Sequence, residues 1–274
     1  MGKFDNIAIL TDLDRTFLGD GGKMVERNVE AIEYFKSQGG LFSLATGRMH
    51  YNLENTVVGV DKLVNAPAVM CNGTYFYDFQ AQKRFCETFM DGEAVYKAVE
   101  FVHNCHKTTR MRGSYEGGYV IPDGDDYMKK ELFDRGIMRV TELPVEKWNL
   151  STWYKMVFLD TPENLNLLEQ SLRERFPDVF EYNRSAKTAL ELQMSGVNKS
   201  ILFDSFRAHY KMQGREIKLY ACGDNENDIE MLKRADVAVC PSNAIEPVKA
   251  IASKCLCSNN EGVIADLIYN LQKF

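Results

Sequence analysis

The sequence lacks any apolar run that approaches the length of a transmembrane helix, which needs about 20 mainly apolar residues. Its first residues include a single lysine and then a strand-like run, without the apolar core of a signal peptide or an Arg- and Ser-rich transit pattern. Internal repeats and low-complexity tracts are missing as well. We therefore expect a cytoplasmic protein that has no membrane partner.

An excess of positive charge is also missing, because the sequence has 33 lysines and arginines and 39 aspartates and glutamates. The resulting net charge of -6 at pH 7 argues against nucleic acid as a partner, since binding to a phosphate backbone requires basic stripes. A local group of basic side chains and backbone amides can still bind a small anion. We therefore expect no nucleic-acid partner.

Paired cysteine motifs are scarce. The seven cysteines are an odd number and are scattered through a chain without a secretory signal. Cys255 and Cys257 are one residue apart, but no second pair matches them to complete a zinc site. We therefore expect reduced thiols rather than a framework of disulfides.

The most informative stretch that is present is an apolar run, Ile7–Leu10, followed by the two carboxylates of Asp12 and Asp14. The run predicts a buried strand of a parallel sheet. At the carboxyl end of such a strand, where ligands of open α/β sheets bind, two acids one residue apart can reach a single site. They repel each other unless one is protonated or a cation lies between them. The pair indicates an acid–base couple or a hard metal ion, and solvated loop acids are the alternative.

The segments that follow alternate between helix and strand patterns. Apolar residues at helical spacing predict a helix over 25–36, and the next run predicts a strand over 41–45. This order is typical of parallel strands joined by a right-handed crossover. A third strand over 67–71 ends at an Asn-Gly turn signal, which predicts a hairpin with residues 74–77. We therefore predict an α/β protein with a Rossmann-like parallel-sheet core.

The 274 residues are enough for one large domain or two modest ones, and the pattern changes in the middle of the chain. We predict a smaller, inserted α/β domain over residues 84–188, and a core formed by residues 1–83 and 189–274. In this interpretation the strand-like run after residue 188 returns to the core. Asn198 is then the N-cap of a helix over 199–210.

Polar residues follow several predicted strands or begin predicted helices of the core: Asp12 and Asp14, Thr46, Lys199, and Asp224 with Asp228. Several carboxylates around one site favour Mg²⁺, which prefers oxygen ligands. The Thr46 hydroxyl, the Gly47 amide and the charge of Lys199 near a helix start suit a phosphate group. A carboxylate beside that phosphate can attack it and form an aspartyl phosphate.

The order of these motifs resembles that of the haloacid dehalogenase superfamily. The resemblance rests on Asp-x-Asp-x-Thr over 12–16, on Thr46, on Lys199, and on Gly-Asp-x-x-Asn-Asp over 223–228. Its Cof-type phosphatase branch is matched by Thr46-Gly47-Arg48, by Asn72-Gly73, and by the insert after the third strand. The resemblance covers the whole chain and implies a Rossmann-like core with an inserted α/β cap domain.

The resemblance also implies roles for the site residues. Asp12 would be the nucleophile, and Asp14 the general acid for the leaving alcohol and then the base for water. The implied metal ligands are Asp12, Asp14 through its backbone carbonyl, Asp224 and Asp228. The implied phosphate and substrate contacts are Thr46, Gly47, Arg48, Asn72, Lys199 and Asn227. Asp228 would alternatively position Lys199 or a metal-bound water, and Arg48 would alternatively be a surface residue at a helix start.

Arg15 departs from the pattern of this branch, which usually has glycine between the second acid and the threonine. Its backbone must therefore accept a side chain at a position that glycine favours. Its long cation must either point away from the pocket or touch the substrate. Neither outcome removes a catalytic group, so we still expect activity.

The expected function is that of a Mg²⁺-dependent phosphohydrolase acting on small phosphorylated metabolites, such as sugar phosphates, through an aspartyl phosphate. A phosphomutase on the same scaffold is one alternative, and a phospho-accepting receiver or a non-catalytic sugar-phosphate sensor is another. Asp14 argues against a receiver, because a second acid at that position accelerates loss of the phosphoryl group. We expect a monomer or a small homo-oligomer.

Overall fold

The computed structural model describes residues 2–148 and 151–273. The strands, in chain order, are β1 (Ile7–Thr11), β2 (Leu41–Leu44), β3 (Ala68–Met70), β4 (Tyr75–Asp78), β5 (Lys83–Phe85), β6 (Arg110–Tyr115), β7 (Gly118–Pro122), β8 (Val140–Leu143), β9 (Trp153–Leu159), β10 (Phe180–Ala186), β11 (Ala189–Met194), β12 (Lys218–Cys222), β13 (Val237–Pro241) and β14 (Lys254–Leu256). The helices are α1 (Glu26–Ser37), α2 (His50–Thr56), α3 (Val60–Leu63), α4 (Gly92–Cys105), α5 (Asp126–Asp134), α6 (Pro162–Arg175), α7 (Phe203–Met212), α8 (Ile229–Arg234), α9 (Glu246–Ile251) and α10 (Val263–Asn270).

The chain divides into two compact units, one comprising Met1–Glu87 and Asn198–Phe274 and the other Thr88–Val197. The main sheet of the first unit is parallel, with the strand order β14-β13-β12-β1-β2. Ala8 and Leu10 of β1 are fully buried, in a core to which α7, α8 and α9 contribute apolar side chains. Helices α1 and α10 pack against each other and contact β2 and β13 respectively. These elements confirm the predicted α/β class with a parallel-sheet core.

A three-stranded antiparallel sheet, β3-β4-β5, completes the first unit. The turn between β3 and β4 has positive φ at Asn72 (54°) and at Gly73 (101°), a backbone conformation that these two residue types accept. The hairpin predicted from the Asn-Gly pair is therefore confirmed. A parallel bridge between Ala45 and Val69 joins the end of β2 to β3.

The second unit contains a six-stranded sheet with the order β10-β11-β9-β6-β7-β8. Its core includes the fully buried side chains of Trp153 and Phe158 from β9, together with Val99 of α4 and Leu168 of α6. Strand β11 is paired antiparallel with both β9 and β10. The structure therefore assigns residues 189–194 to this sheet, whereas the sequence analysis assigned them to the core.

The helix that was predicted to begin at Lys199 is α7, and it begins at Phe203 instead. The side chain of Asn198 accepts hydrogen bonds from the backbone N (2.9 Å) and the Oγ (2.7 Å) of Ser200, so it forms a local turn instead of a helix cap. The prediction that Lys199 lies at a helix start was therefore wrong. Lys199 lies on the turn that precedes α7.

Across residues 2–148 and 151–273, the longest and most apolar helices still fall short of what a membrane crossing requires.

Asn28 of α1 provides a test of how the first unit is held together. It is fully buried, its Nδ2 donates to the backbone O of Phe17 (3.1 Å), and its Oδ1 accepts from the backbone N of Ala265 (3.0 Å). Replacing it in Asn28→Ala should lower the free energy of unfolding by about 1–3 kcal/mol, because two buried backbone groups lose their partner. Urea unfolding measures this change. The exposed neighbour variant Glu30→Ala should change it by less than about 0.5 kcal/mol; equal effects of the two substitutions would contradict the assignment.

Candidate active site

The backbone of Asp12 is fixed at the carboxyl edge of the parallel sheet, directly after β1. Its N donates to the O of Cys222 at the end of β12 (2.7 Å), and its O accepts from the N of Phe17 (3.3 Å). The side chain is buried, with the residue 7% exposed. Asp12 is therefore a carboxylate held in place by the neighbouring strand and by the turn that follows.

Asp224 and Asp228 join Asp12 in one acidic cluster, in which carboxylate oxygens of the three residues lie within 4.8 Å of one another. Asp224 follows β12, and Asp228 ends a short 3₁₀ turn, Glu226–Asp228. Both are buried. A Cβ at Gly223 would lie 2.5 Å from the Cβ of Asp228, so only glycine permits this close approach.

Lys199 is fully buried among these acids. Its Nζ donates to Asp12 Oδ1 (2.5 Å) and to Asp228 Oδ1 (2.6 Å). Burial by itself lowers the pKa of Lys199, but the charges of Asp12 and Asp228 outweigh it, and the pKa is raised. Lys199 therefore carries a positive charge that holds two carboxylates at fixed positions.

One ammonium group does not balance three carboxylates. Burial raises the pKa of Asp12 well above its usual range despite the opposing charge of Lys199, and Asp228 and Asp224 raise it further. Burial and the charge of Asp228 raise the pKa of Asp224 to about 6, although Thr16 Oγ1 donates to its carboxylate (3.0 Å). Such a set of crowded, buried oxygen ligands fits a hard divalent cation such as Mg²⁺.

Thr46 lies two residues after the end of β2, the strand paired with β1, and it is buried. Its N donates to the O of Val69 (2.9 Å), and its O accepts from the N of Asn72 (2.9 Å). Its Oγ1 accepts from the N of Arg48 (3.2 Å). These bonds tie the end of β2 to the turn after β3.

Gly47, Asn72 and Asn227 come together beside Thr46. A Cβ at Gly47 would lie 2.9 Å from Asn72 Oδ1, so a side chain there would displace the asparagine. Asn227 Nδ2 donates to the same Oδ1 (3.3 Å). The structure thus groups residues that the sequence places far apart, and it does so at the carboxyl edge that also carries Asp12.

Asp14 differs from the other acids, because its side chain is 52% exposed and is paired with Arg48. Arg48 Nη2 donates to Asp14 Oδ1 (2.6 Å), and Arg48 Nε donates to Asp14 Oδ2 (2.9 Å). Arg48 Nη1 also donates to Thr56 Oγ1 (2.7 Å) in α2. The sequence analysis missed this pairing. The signal that could have revealed it is that both residues follow neighbouring parallel strands.

Arg15 has a left-handed backbone, with φ 62° and ψ 7°, which explains why glycine suits this position. Its O accepts from Asn243 Nδ2 (2.9 Å), so the turn is anchored to the loop after β13. Its side chain is 62% exposed, and its Nε lies 3.8 Å from Asp224 Oδ2. The cation therefore lies at the outer edge of the acidic cluster.

The chain matches the family model of the haloacid dehalogenase-like hydrolases over residues 9–268. It is 25% identical over 264 residues to the 5-amino-6-(5-phospho-D-ribitylamino)uracil phosphatase YitU of Bacillus subtilis, with 94% of each chain covered. It is 26% identical over 275 residues to the pyridoxal phosphate phosphatase YbhA of Escherichia coli, with 96% of this chain and 97% of the relative covered.

The fold is shared with solved structures at lower identity. A HAD subclass IIB sugar phosphatase superimposes with a TM-score of 0.82 at 20% identity, with 98% of this chain and 100% of that chain covered. The family model spans all the site residues described above, and it confirms the resemblance drawn from their motifs. The chain belongs to the haloacid dehalogenase-like hydrolase family, and it is a phosphatase of the Cof-type branch.

Proposed function

We propose that the protein is a Mg²⁺-dependent phosphohydrolase that cleaves small phosphorylated metabolites through an aspartyl phosphate on Asp12. The observation that carries this proposal is the buried cluster of Asp12, Asp224 and Asp228 around the ammonium group of Lys199. A nucleophilic carboxylate, a fixed cation and a set of oxygen ligands are the components that phosphoryl transfer requires.

The oxygen ligands of Asp12 and Asp224, with the backbone carbonyl of Asp14, would hold the metal. Burial and the charge of Asp228 raise the pKa of Asp224, which shows that its negative charge is unfavourable in this cluster. A bound cation would relieve the repulsion among the three carboxylates, and this supports a metal site. Asp228 accepts from Lys199, and its other oxygen accepts from the N of Asp224 (2.9 Å), so we assign it a positioning role. When bound, Mg²⁺ neutralises charge on the phosphoryl oxygens.

The chain's own residues perform the remaining steps in this proposal. Asp12 attacks phosphorus, while Lys199 and the hydroxyl of Thr46 hold the transferring group. Asp14 gives a proton to the leaving oxygen and afterwards removes one from the attacking water. Because Arg48 donates to both oxygens of Asp14, this ion pair must open before Asp14 carries a proton to the leaving oxygen.

The phosphate ester is the part of the substrate that the acidic cluster, Lys199 and Thr46 would bind. The two relatives are named for a ribitylamino-uracil phosphate and for pyridoxal phosphate, which share a phosphomonoester but differ in the organic group that carries it. We propose that the second unit acts as the cap domain that selects the organic group. A cytoplasmic enzyme that is a monomer or a small homo-oligomer fits this proposal.

Asp14→Asn should separate the two chemical steps when p-nitrophenyl phosphate is the substrate. We expect a rapid burst of about one p-nitrophenolate per active site, followed by turnover at least about 100-fold slower than in the wild type. The reason is that p-nitrophenolate leaves without a proton donor, whereas hydrolysis of the aspartyl phosphate needs a base. Stopped-flow absorbance measures both phases.

Asp12→Asn should give neither a burst nor steady turnover in the same assay, because it removes the nucleophile. The matched control is Asp61→Asn, an exposed acid of α3 in the same unit, which should stay within about two-fold of the wild type. A burst from Asp12→Asn, or its full activity, would exclude the aspartyl phosphate on this residue.

Mg²⁺ binding should be measurable without substrate as thermal stabilisation. At a concentration of 100 Kd, a ligand that binds only the folded state stabilises it by about 2.7 kcal/mol, so Tm should rise by several degrees. Asp224→Asn should lose most of this rise, since it removes a proposed ligand, while Asp61→Asn should keep it. Differential scanning fluorimetry after treatment with EDTA, with Mg²⁺ added back, makes the comparison. An equal rise in both variants would argue against a metal site at Asp224.

A further inference from the structure

Two cysteines outside the candidate active site lie directly opposite each other in the parallel sheet. Cys240 of β13 and Cys255 of β14 are register partners, so their side chains project from the same face. Cys240 is fully buried, and Cys255 at the sheet edge is exposed. Cys255 is close enough to Cys240 to influence the pKa of its thiol. Neither Cys240 nor Cys255 belongs to a disulfide.

The backbone geometry suits a covalent link between them. Neighbouring strands lie about 4.8 Å apart, which falls within the range of about 4.4–6.8 Å that disulfides span between Cα atoms. Because the two residues are register partners, the link needs no shift of one strand along the other. Cys257 lies two residues further along, beyond Leu256, whose register partner is Pro241.

The surroundings give the two thiols different reactivity. Burial, with a further contribution from Cys255, raises the pKa of Cys240 to about 12, so this thiol is a poor first nucleophile at neutral pH. The charge of Lys249 in α9 opposes this rise in the pKa of Cys240 without cancelling it. The exposed Cys255 is therefore the residue that reacts first.

We propose that Cys240 and Cys255 form an oxidisable pair, which closes to an intramolecular disulfide when the protein meets a peroxide. The Cys255 thiolate attacks one peroxide oxygen, which breaks the O–O bond, forms a sulfenic acid and releases hydroxide. The Cys240 sulfur then attacks the sulfenic sulfur, and the thiol proton leaves with the displaced hydroxide as water. In total, two thiols and one hydrogen peroxide give one disulfide and two waters, so the thiols are oxidised and the peroxide is reduced.

The segment between the two cysteines supports the candidate active site. Asn243 donates to the O of Arg15 (2.9 Å), and the N of Ile245 donates to the O of Asp224 (3.0 Å). The disulfide would close this segment into a loop and would fasten the edge strand β14 to β13. The oxidised protein should therefore resist unfolding better than the reduced protein.

The experiment treats the reduced, full-length protein with hydrogen peroxide, blocks the remaining thiols, and identifies the linked peptides by mass spectrometry after digestion with trypsin. We expect a link between Cys240 and Cys255 that dithiothreitol reverses, together with a Tm that is higher by a few degrees in the oxidised protein. Trypsin separates Cys240 from Cys255 but leaves Cys255 and Cys257 on one peptide. Variants must therefore show whether Cys255 or Cys257 is linked to Cys240.

Cys257→Ser is the matched control and should keep both the link and the rise in Tm. Cys255→Ser should lose both, and a Tm close to that of the reduced wild type will show that it folds. Three results would overturn the proposal: a link from Cys240 to Cys257, oxidation of Cys255 to a sulfinic acid while Cys240 stays free, or links only between molecules through the exposed Cys86 or Cys105.

Discussion

The ammonium group of Lys199, buried between Asp12 and Asp228, is the interaction on which the rest of the candidate site depends. Bringing three carboxylates together in a region of low dielectric is unfavourable, and a single positive charge offsets only part of their repulsion. The backbone supplies more support, because Asp228 Oδ2 accepts from the N of Asp224 (2.9 Å) and of Asn225 (3.1 Å). The first unit therefore holds charges in an arrangement that they would not adopt alone, as is common at functional sites.

Much of the fold could be predicted because its signals are local. The apolar run of β1, the helical spacing of apolar residues in α1, and the Asn-Gly turn before β4 each act within a few residues. The errors arose where neighbours in space decide the outcome. The residues of strand β11 suit either sheet, so its sequence does not reveal whether it joins the core or the second unit. The structure pairs it with β9 of the second unit. Asn198 can cap a helix or close a local turn, and its bonds to Ser200 select the turn.

The grouping of Asp12, Asp224 and Asp228 could be predicted, because these acids follow strands whose carboxyl ends reach the same edge, but the side chain of Asp14, which was predicted to join them, lies outside the cluster. What the sequence could not supply were the contacts between side chains of different strands. The bidentate ion pair between Arg48 and Asp14 is one example, and the ion pair between Arg15 and Asp224 is another. The left-handed backbone of Arg15 could be expected only from the glycine that the family pattern favours there, because arginine itself gives no local sign of it.

The parallel order of the main sheet has a consequence for synthesis of the chain. Strand β1 pairs with β2 on one side, and on the other with β12, which follows the whole second unit in the chain. Translation proceeds at about 5–20 residues per second, so the interval between the two strands lasts on the order of ten seconds or more. During that time one side of an apolar strand has no partner, and the nucleophile that follows it has neither its lysine nor its fellow acids. The edge of β1 that pairs with β12 therefore stays without its partner until the second unit has been synthesised, and Asp12 meets Lys199, Asp224 and Asp228 only after that.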